Sequence, residues 1–159
     1  MASLVRAACL TNYEAVATAS GLNCTRMLFD AGLSPGVLDE PDLMIPVDKV
    51  GRLLQASAMQ SGNESFALCM ARSRLLSNMG PVGLLIRDQE TLRDSLNLLV
   101  RHLTFLNGAM TLEVDEQADT VLIRELLLAG RAHEPTRQRV ELALGVIVRA
   151  IRQLIGRDW

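Results

Sequence analysis

The sequence predicts an α+β domain with a helical N-terminal half, a small antiparallel β-sheet and a long C-terminal helix. Three observations carry that expectation. Apolar residues recur at helical spacing through most of the chain. The period shortens to two at Thr111-Leu-Glu-Val-Asp and Thr120-Val-Leu-Ile-Arg-Glu-Leu, with Glu116-Gln-Ala-Asp as a turn between them, which reads as a hairpin. With 159 residues, 49% hydrophobic and 21% charged, the chain has the balance of a soluble globular protein and enough length for one domain spanning 1–159.

The elements follow in order. Residues 3–10 and 12–20 carry helical spacing, with Asn12 as an N-cap and Gly21 as a stop. Asn23 caps a short helix from Cys24 to Ala31, which Gly32 ends. Ser34-Pro-Gly through Asp39-Glu-Pro-Asp is turn-rich and reads as loop. A helix follows Pro46, with Val47, Val50, Leu53, Leu54 and Met59 on one face. Ser61-Gly-Asn breaks it, and Asn63 caps the next helix, carrying Phe66, Leu68, Met70 and Ala71. Asn78-Met-Gly-Pro-Val-Gly makes a turn and a short helix. Thr91 caps a long helix through Leu92, Leu96, Leu99, Val100 and Leu103. The final helix runs from Thr136 to Ile155, its stripe formed by Val140, Ala143, Leu144, Ile147, Val148, Ile151 and Leu154. Leu142 and Val146 widen that stripe beyond what one core needs, which predicts a weak homodimer through helical surfaces.

Composition excludes several classes. Net charge is −2 and aromatic residues are only 3%, so the surface is not built to hold nucleic-acid phosphates and the core is aliphatic, with seven Met. Lys49 is the single lysine and every other basic residue is arginine, a pattern of GC-rich coding before it is one of anion binding. Cys9, Cys24 and Cys69 form no C-x-x-C, and with only His102 and His133 they build no zinc spacing; neither metal nor cofactor is expected. The same odd, scattered cysteines argue against a disulfide framework and for a reducing cytoplasm. The N-terminus lacks a signal-peptide h-region, and no apolar run approaches a membrane span.

Enzyme signatures are missing: no G-x-S-x-G, G-x-G-x-x-G, Walker A or H-E-x-x-H, so no catalytic residue is assigned. Cys69 and His102 are a conceivable nucleophile and base, but Cys69 between Leu68 and Met70 reads better as a small buried hydrophobe. The ligand-binding candidates are His102 with Phe105, on one helix, and Arg124 and Arg149, each flanked by apolar residues. An arginine there suits a carboxylate held bidentately; a snorkelling edge residue is the plainer reading. Residues 13–28 imitate a helix-turn-helix through Ala17, Gly21 and Met27, but Arg26 is nearly alone as a phosphate contact, so a structural helical hairpin is expected.

At Asn63-Glu-Ser-Phe-Ala-Leu-Cys-Met-Ala, Gly80-Pro-Val-Gly-Leu-Leu-Ile and Thr91-Leu-Arg-Asp-Ser-Leu the chain resembles the N-terminal effector-sensing domain of AraC-type bacterial transcription regulators. The subgroup is the arabinose-binding-like one that is not a cupin barrel. Ala31-Gly-Leu, Asp42-Leu-Met-Ile-Pro and Leu154-Ile-Gly-Arg-Asp-Trp extend the likeness over about residues 12 to 159. Pro81, where an aliphatic residue is commoner, and Ser95, where alanine is usual, depart from the pattern. The resemblance implies a regulatory module that binds a small organic effector and controls a C-terminal helix-turn-helix domain absent from this sequence. DNA would be reached only through that domain. The scarcity of polar clusters points to an apolar acid, an amino-acid derivative or an aromatic compound rather than a sugar. The alternatives are a dimerisation module without a ligand and an autonomous helix-turn-helix DNA binder.

Overall fold

A computed structural model describes residues 3–128 and 137–156. Within them the chain is α+β and mostly helical, with two separate two-stranded antiparallel sheets rather than one. The first sheet departs from the expectation. Leu4–Arg6 is a strand, β1, followed by a 3₁₀ turn, Ala7–Leu10, where helical spacing predicts a helix. Its partner β2, Met44–Pro46, lies in a stretch with no strand signature. Val5 pairs with Ile45 and both point inward. Three-residue strands leave almost no periodicity to read; they exist because distant segments satisfy each other's backbone groups. β1 also touches the far half, where the Gly108 N–H donates to the Leu4 carbonyl at 2.8 Å.

Helices α1, Tyr13–Ala19, and α2, Cys24–Asp30, form the expected hairpin. Asn23 accepts the Arg26 N–H at 2.9 Å, as a capping residue does. Asn12 precedes α1 but adopts φ 69° and makes no side-chain cap, a left-handed conformation that asparagine tolerates. The loop after Gly32 contains a 3₁₀ turn, Pro35–Leu38. Helix α3, Val47–Ser61, buries Val47, Val50, Leu53 and Leu54 as expected; Met59 instead faces solvent. Ahead of α4, Phe66–Ala71, Asn63 lies two residues before the N-cap Ser65, its Oδ1 accepting the Ser65 N–H at 3.0 Å. Leu68 is exposed there, whereas Phe66 and Met70 are sealed.

The second half begins with a 3₁₀ turn, Leu76–Met79, and α5, Pro81–Arg87. A Cβ on Gly83 would drive into the Leu76 carbonyl, so that close turn needs glycine. Thr91 caps α6, Leu92–Leu106, through the Asp94 N–H at 3.1 Å. The hairpin is β3, Met110–Gln117, with β4, Thr120–Leu127; β3 is longer than the sequence pattern because it runs on into the turn, and β4 gains Leu127 at its far end.

Helix α7, Arg137–Ile155, is the spine. The buried residues form two clusters, one around Tyr13, Leu53 and Phe66 and one around Ile86, Leu99 and Ile151. Leu142 belongs to the first, Ile147 to the second, and Val146 packs against both. The wide apolar arc that predicts self-association is thus covered within the chain at Leu142 and Val146, because α7 lies between two cores instead of on one.

Two glutamines roughly four turns apart on α7 fasten α4 and the segment after it to that helix. Gln138, 2% exposed, accepts the Ala67 N–H at 3.0 Å and donates to the Glu64 carbonyl at 2.7 Å. Gln153 accepts the Leu76 N–H and donates to the Arg74 carbonyl, both at 3.1 Å. Between them Gly145 lets the helices close in; a Cβ there would stand 2.5 Å from that of Ala71.

Candidate functional site

The seam between the two clusters holds a cavity of about 150 Å³. Val47, Val50 and Leu54 of α3 wall one side, and Leu99 and Leu103 of α6 with Met110 and Leu112 of β3 wall the other. Leu142, Ala143, Val146 and Ile147 of α7 span the gap, and Val5 of β1 closes an end. The cavity lies where two separately packed halves meet, with β1, α7 and the segment after α4 running between them.

Against this aliphatic wall stand three arginines, Arg6, Arg74 and Arg139, with Asn78 and Asn107; no Asp or Glu lines the cavity among the described residues. Arg6 is satisfied by Asp42 and the Asn78 carbonyl. Asn78 and Asn107 spend their Oδ1 atoms on the backbone N–H groups of Leu75 and Ala109, each at 2.9 Å. Arg74 differs. It is 4% exposed, donates to the carbonyls of Ala8 and Cys9, and its Nε finds no partner. Burial lowers its pKa, and no carboxylate among the described residues offsets that. Cys9, on the same wall, has its thiol pushed up to about 12 by burial, with Arg74 and Arg139 pulling the other way. It is therefore a thiol and no nucleophile.

Behind the cavity, Glu125 of β4 pairs across the hairpin with Leu112. Both its carboxylate oxygens are buried without a hydrogen bond, and burial raises its pKa to about 7 against the pull of Arg139.

None of the four residues singled out from sequence lines this cavity. His102 stacks on Phe105, with ring centroids 5.9 Å apart, on the outer part of α6, where Phe105 is 68% exposed. Arg124 lies on the exposed face of the hairpin, paired with Asp115 at 3.3 Å. Arg149 is half-buried on α7, its Nε buried without a partner. Cys69 takes a long contact from Asn63 Nδ2 at 3.7 Å on α4 and has a different neighbourhood from His102 on α6. His133 lies outside the described residues. Among those residues the three cysteines are free, no group of three metal-binding side chains occurs, and no helix is long and apolar enough to cross a membrane. In the α1–α2 hairpin Arg26 faces solvent but pairs with Asp30 at 3.7 Å, which leaves little charge for a phosphate.

What sequence reasoning missed is the arginine set. Arg6, Arg74 and Arg139 sit in ordinary helical-looking contexts, and nothing in their spacing separates them from the other arginines. Only the meeting of β1, α7 and the segment after α4 brings them to one wall.

The described residues thus form a mostly helical domain with a cavity at its internal seam. The comparison with known proteins is specific: residues 21–159 match the family described as the arabinose-binding domain of AraC transcription regulators, at their N-terminus, and the chain belongs to it. It is similar to the HTH-type transcriptional regulator VirS of Mycobacterium tuberculosis, in strains CDC 1551 / Oshkosh and ATCC 25618 / H37Rv, at 28% identity over 160 residues. That alignment takes in 98% of this chain and 46% of VirS, so the chain spans about half the length of the curated relatives it matches.

Proposed function

We propose that this chain is the ligand-sensing domain of a cytoplasmic AraC-type transcription regulator and that the seam cavity is its effector site. The observation that carries the reading is the cavity: about 150 Å³ of largely aliphatic space between two cores. A cavity of that order, lined by Leu and Ile, takes up a benzene-sized group in other proteins. A pentose would require many hydroxyl partners, and the amide oxygens of Asn78 and Asn107 are already spent on backbone N–H groups. The effector accordingly belongs among apolar acids, amino-acid derivatives and aromatic compounds, and the domain has no enzymatic role.

Sensing follows from position. A ligand in the seam touches both cores and α7, so it favours whichever arrangement of the two halves it fits better. That bias passes to a DNA-binding domain elsewhere in the full regulator, which alone makes the DNA contact. The test is thermal unfolding of this chain across several hundred metabolites. A ligand at 100 times its dissociation constant should add about 2.7 kcal/mol. Silence across the library, sugars included, would leave a dimerisation module without a ligand.

A second observation favours self-association by another face. Leu144, Val148 and Ile155 stand exposed on the outer side of α7 at helical spacing. We propose a weak homodimer through this stripe, in place of Leu142 and Val146, as symmetric pairs are the commonest oligomers. Sedimentation equilibrium at concentrations on the order of tens of micromolar should give a mass above 17.4 kDa. The double change Leu144→Glu, Val148→Glu should return the monomer; an unchanged mass would end the idea.

A further inference from the structure

The geometry points to a small apolar carboxylate as the ligand of the seam cavity, with Arg74 as the residue that takes its head group; this rests on the effector-site reading above. The argument is one of unbalanced charge. A cation removed from water is costly unless a counter-charge and hydrogen bonds replace the solvent. Arg74 is 4% exposed, and no carboxylate pairs with it among the described residues. Of the other two guanidiniums on this wall, Arg6 already has Asp42 and Arg139 has an interaction of its own.

The arginine's donors are likewise only part-used. Of the five N–H groups a guanidinium carries, the carbonyls of Ala8 and Cys9 take two, and Nε is buried without a partner. Carbonyls are neutral, so they hold the side chain in place without balancing its charge. A carboxylate accepts two parallel N–H bonds from this fork, and such charge-assisted pairs are about twice as strong as neutral ones. The rest of the cavity then sets the size: an aliphatic space of about 150 Å³ suits a tail the size of a benzene ring. An anionic head and a tail of this size together describe compounds such as benzoate or hexanoate. A tail without a charge would leave Arg74 unbalanced, and a polyhydroxylated ligand would strand its hydroxyls against Val50, Leu99 and Val146.

Calorimetric titration of the 159-residue chain with benzoate and hexanoate, against benzyl alcohol and hexanol of equal size, tests this directly. Each acid should bind at least tenfold more tightly than its alcohol, with the preference lost in Arg74→Gln. That variant also loses its bonds to Ala8 and Cys9, so a second one guards against simple unfolding. Ala143→Phe fills the cavity, leaves Arg74 in place, and should abolish acid binding. Acids and alcohols binding equally would overturn the carboxylate assignment while leaving the cavity as an effector site. Acid binding that survives Ala143→Phe would overturn it too, because the acid would then sit elsewhere. A pentose binding in preference to both would replace the proposed class. Silence towards every compound in the wider library would instead remove the effector-site reading on which the inference stands.

Discussion

Around Tyr13 and Phe66 the first core is sealed from water, with Leu10, Leu28, Leu53, Leu54 and Met70 also fully buried, whereas in the second core Ile86 alone among the described hydrophobic residues reaches that state. The rings of Tyr13 and Phe66 meet at 5.9 Å, and the tyrosine hydroxyl donates to Ser57 Oγ at 2.8 Å, which in turn donates to the Leu53 carbonyl. Among the described residues the second core has no aromatic ring. Its surroundings expose Leu75, Leu84 and Leu85 near α5 and Leu122, Leu126 and Leu128 on or beside β4. Aromatic side chains bury the most area per residue and polar bonds inside the first core are satisfied, so that half opens last. Under the proposed function this difference makes the first half a platform and the second the part that an effector in the seam displaces.

Truncation of the central ring should produce the largest effect. Phe66→Ala should cost about 3–5 kcal/mol in urea unfolding, while Leu99→Ala, beside the existing cavity, should cost nearer 2 kcal/mol. Equal costs would break the contrast between the two cores.

The joint between the halves should come next. Gln138→Leu strips partners from the Ala67 N–H and the Glu64 carbonyl, and should lower stability by about 1–3 kcal/mol. A neutral outcome would mean that α4 and α7 are held by packing alone, with Gly145 close to Ala71 as the main contact.

Glu125 should give a pH signature confined to the second half. Its carboxyl titrates at 4.5 when unfolded and at about 7 when folded. Between those values the folded chain keeps a proton that the unfolded chain has released, so stability falls as pH rises from 4.5 and levels off above 7. Glu125→Gln should therefore stabilise the domain by about 1–2 kcal/mol at basic pH and leave it unchanged in acid, once partial exposure is discounted. Thermal melts at both ends of that range decide it, and stabilisation in acid alone would reverse the sign. The smallest effect belongs to the surface. Leu84→Ala and Leu85→Ala should each stay within about 0.5 kcal/mol by the same measurement; a larger loss would mean that α5 is packed more firmly than its exposure indicates.

Much of the helical framework was legible because each helix carries its own punctuation. Thr91, Asn23, Gly32 and Gly62 mark ends through local hydrogen bonds and local backbone preference. The β3–β4 hairpin was legible for a similar reason, since two eight-residue strands alternate along most of their length. β1 and β2 were not, having three residues each and partners far apart in sequence. The candidate site was hardly legible. His102, Phe105, Arg124 and Arg149 were chosen because they are polar or aromatic among apolar neighbours, and in the structure they lie off the cavity.

The sequence by itself determined the α+β class, the aliphatic character of the core, the positions of the long helices and the family likeness. All of these are local or compositional, written in spacing, caps and short motifs. Only the tertiary structure decided that α7 would be flanked by two cores, that its wide apolar arc would be consumed at Leu142 and Val146, and that a cavity would open where the halves meet. It alone brought Arg6, Arg74 and Arg139 to one wall. Burial and charge balance are properties of neighbours in space, and an arginine looks the same in sequence whether water or a closed cavity surrounds it.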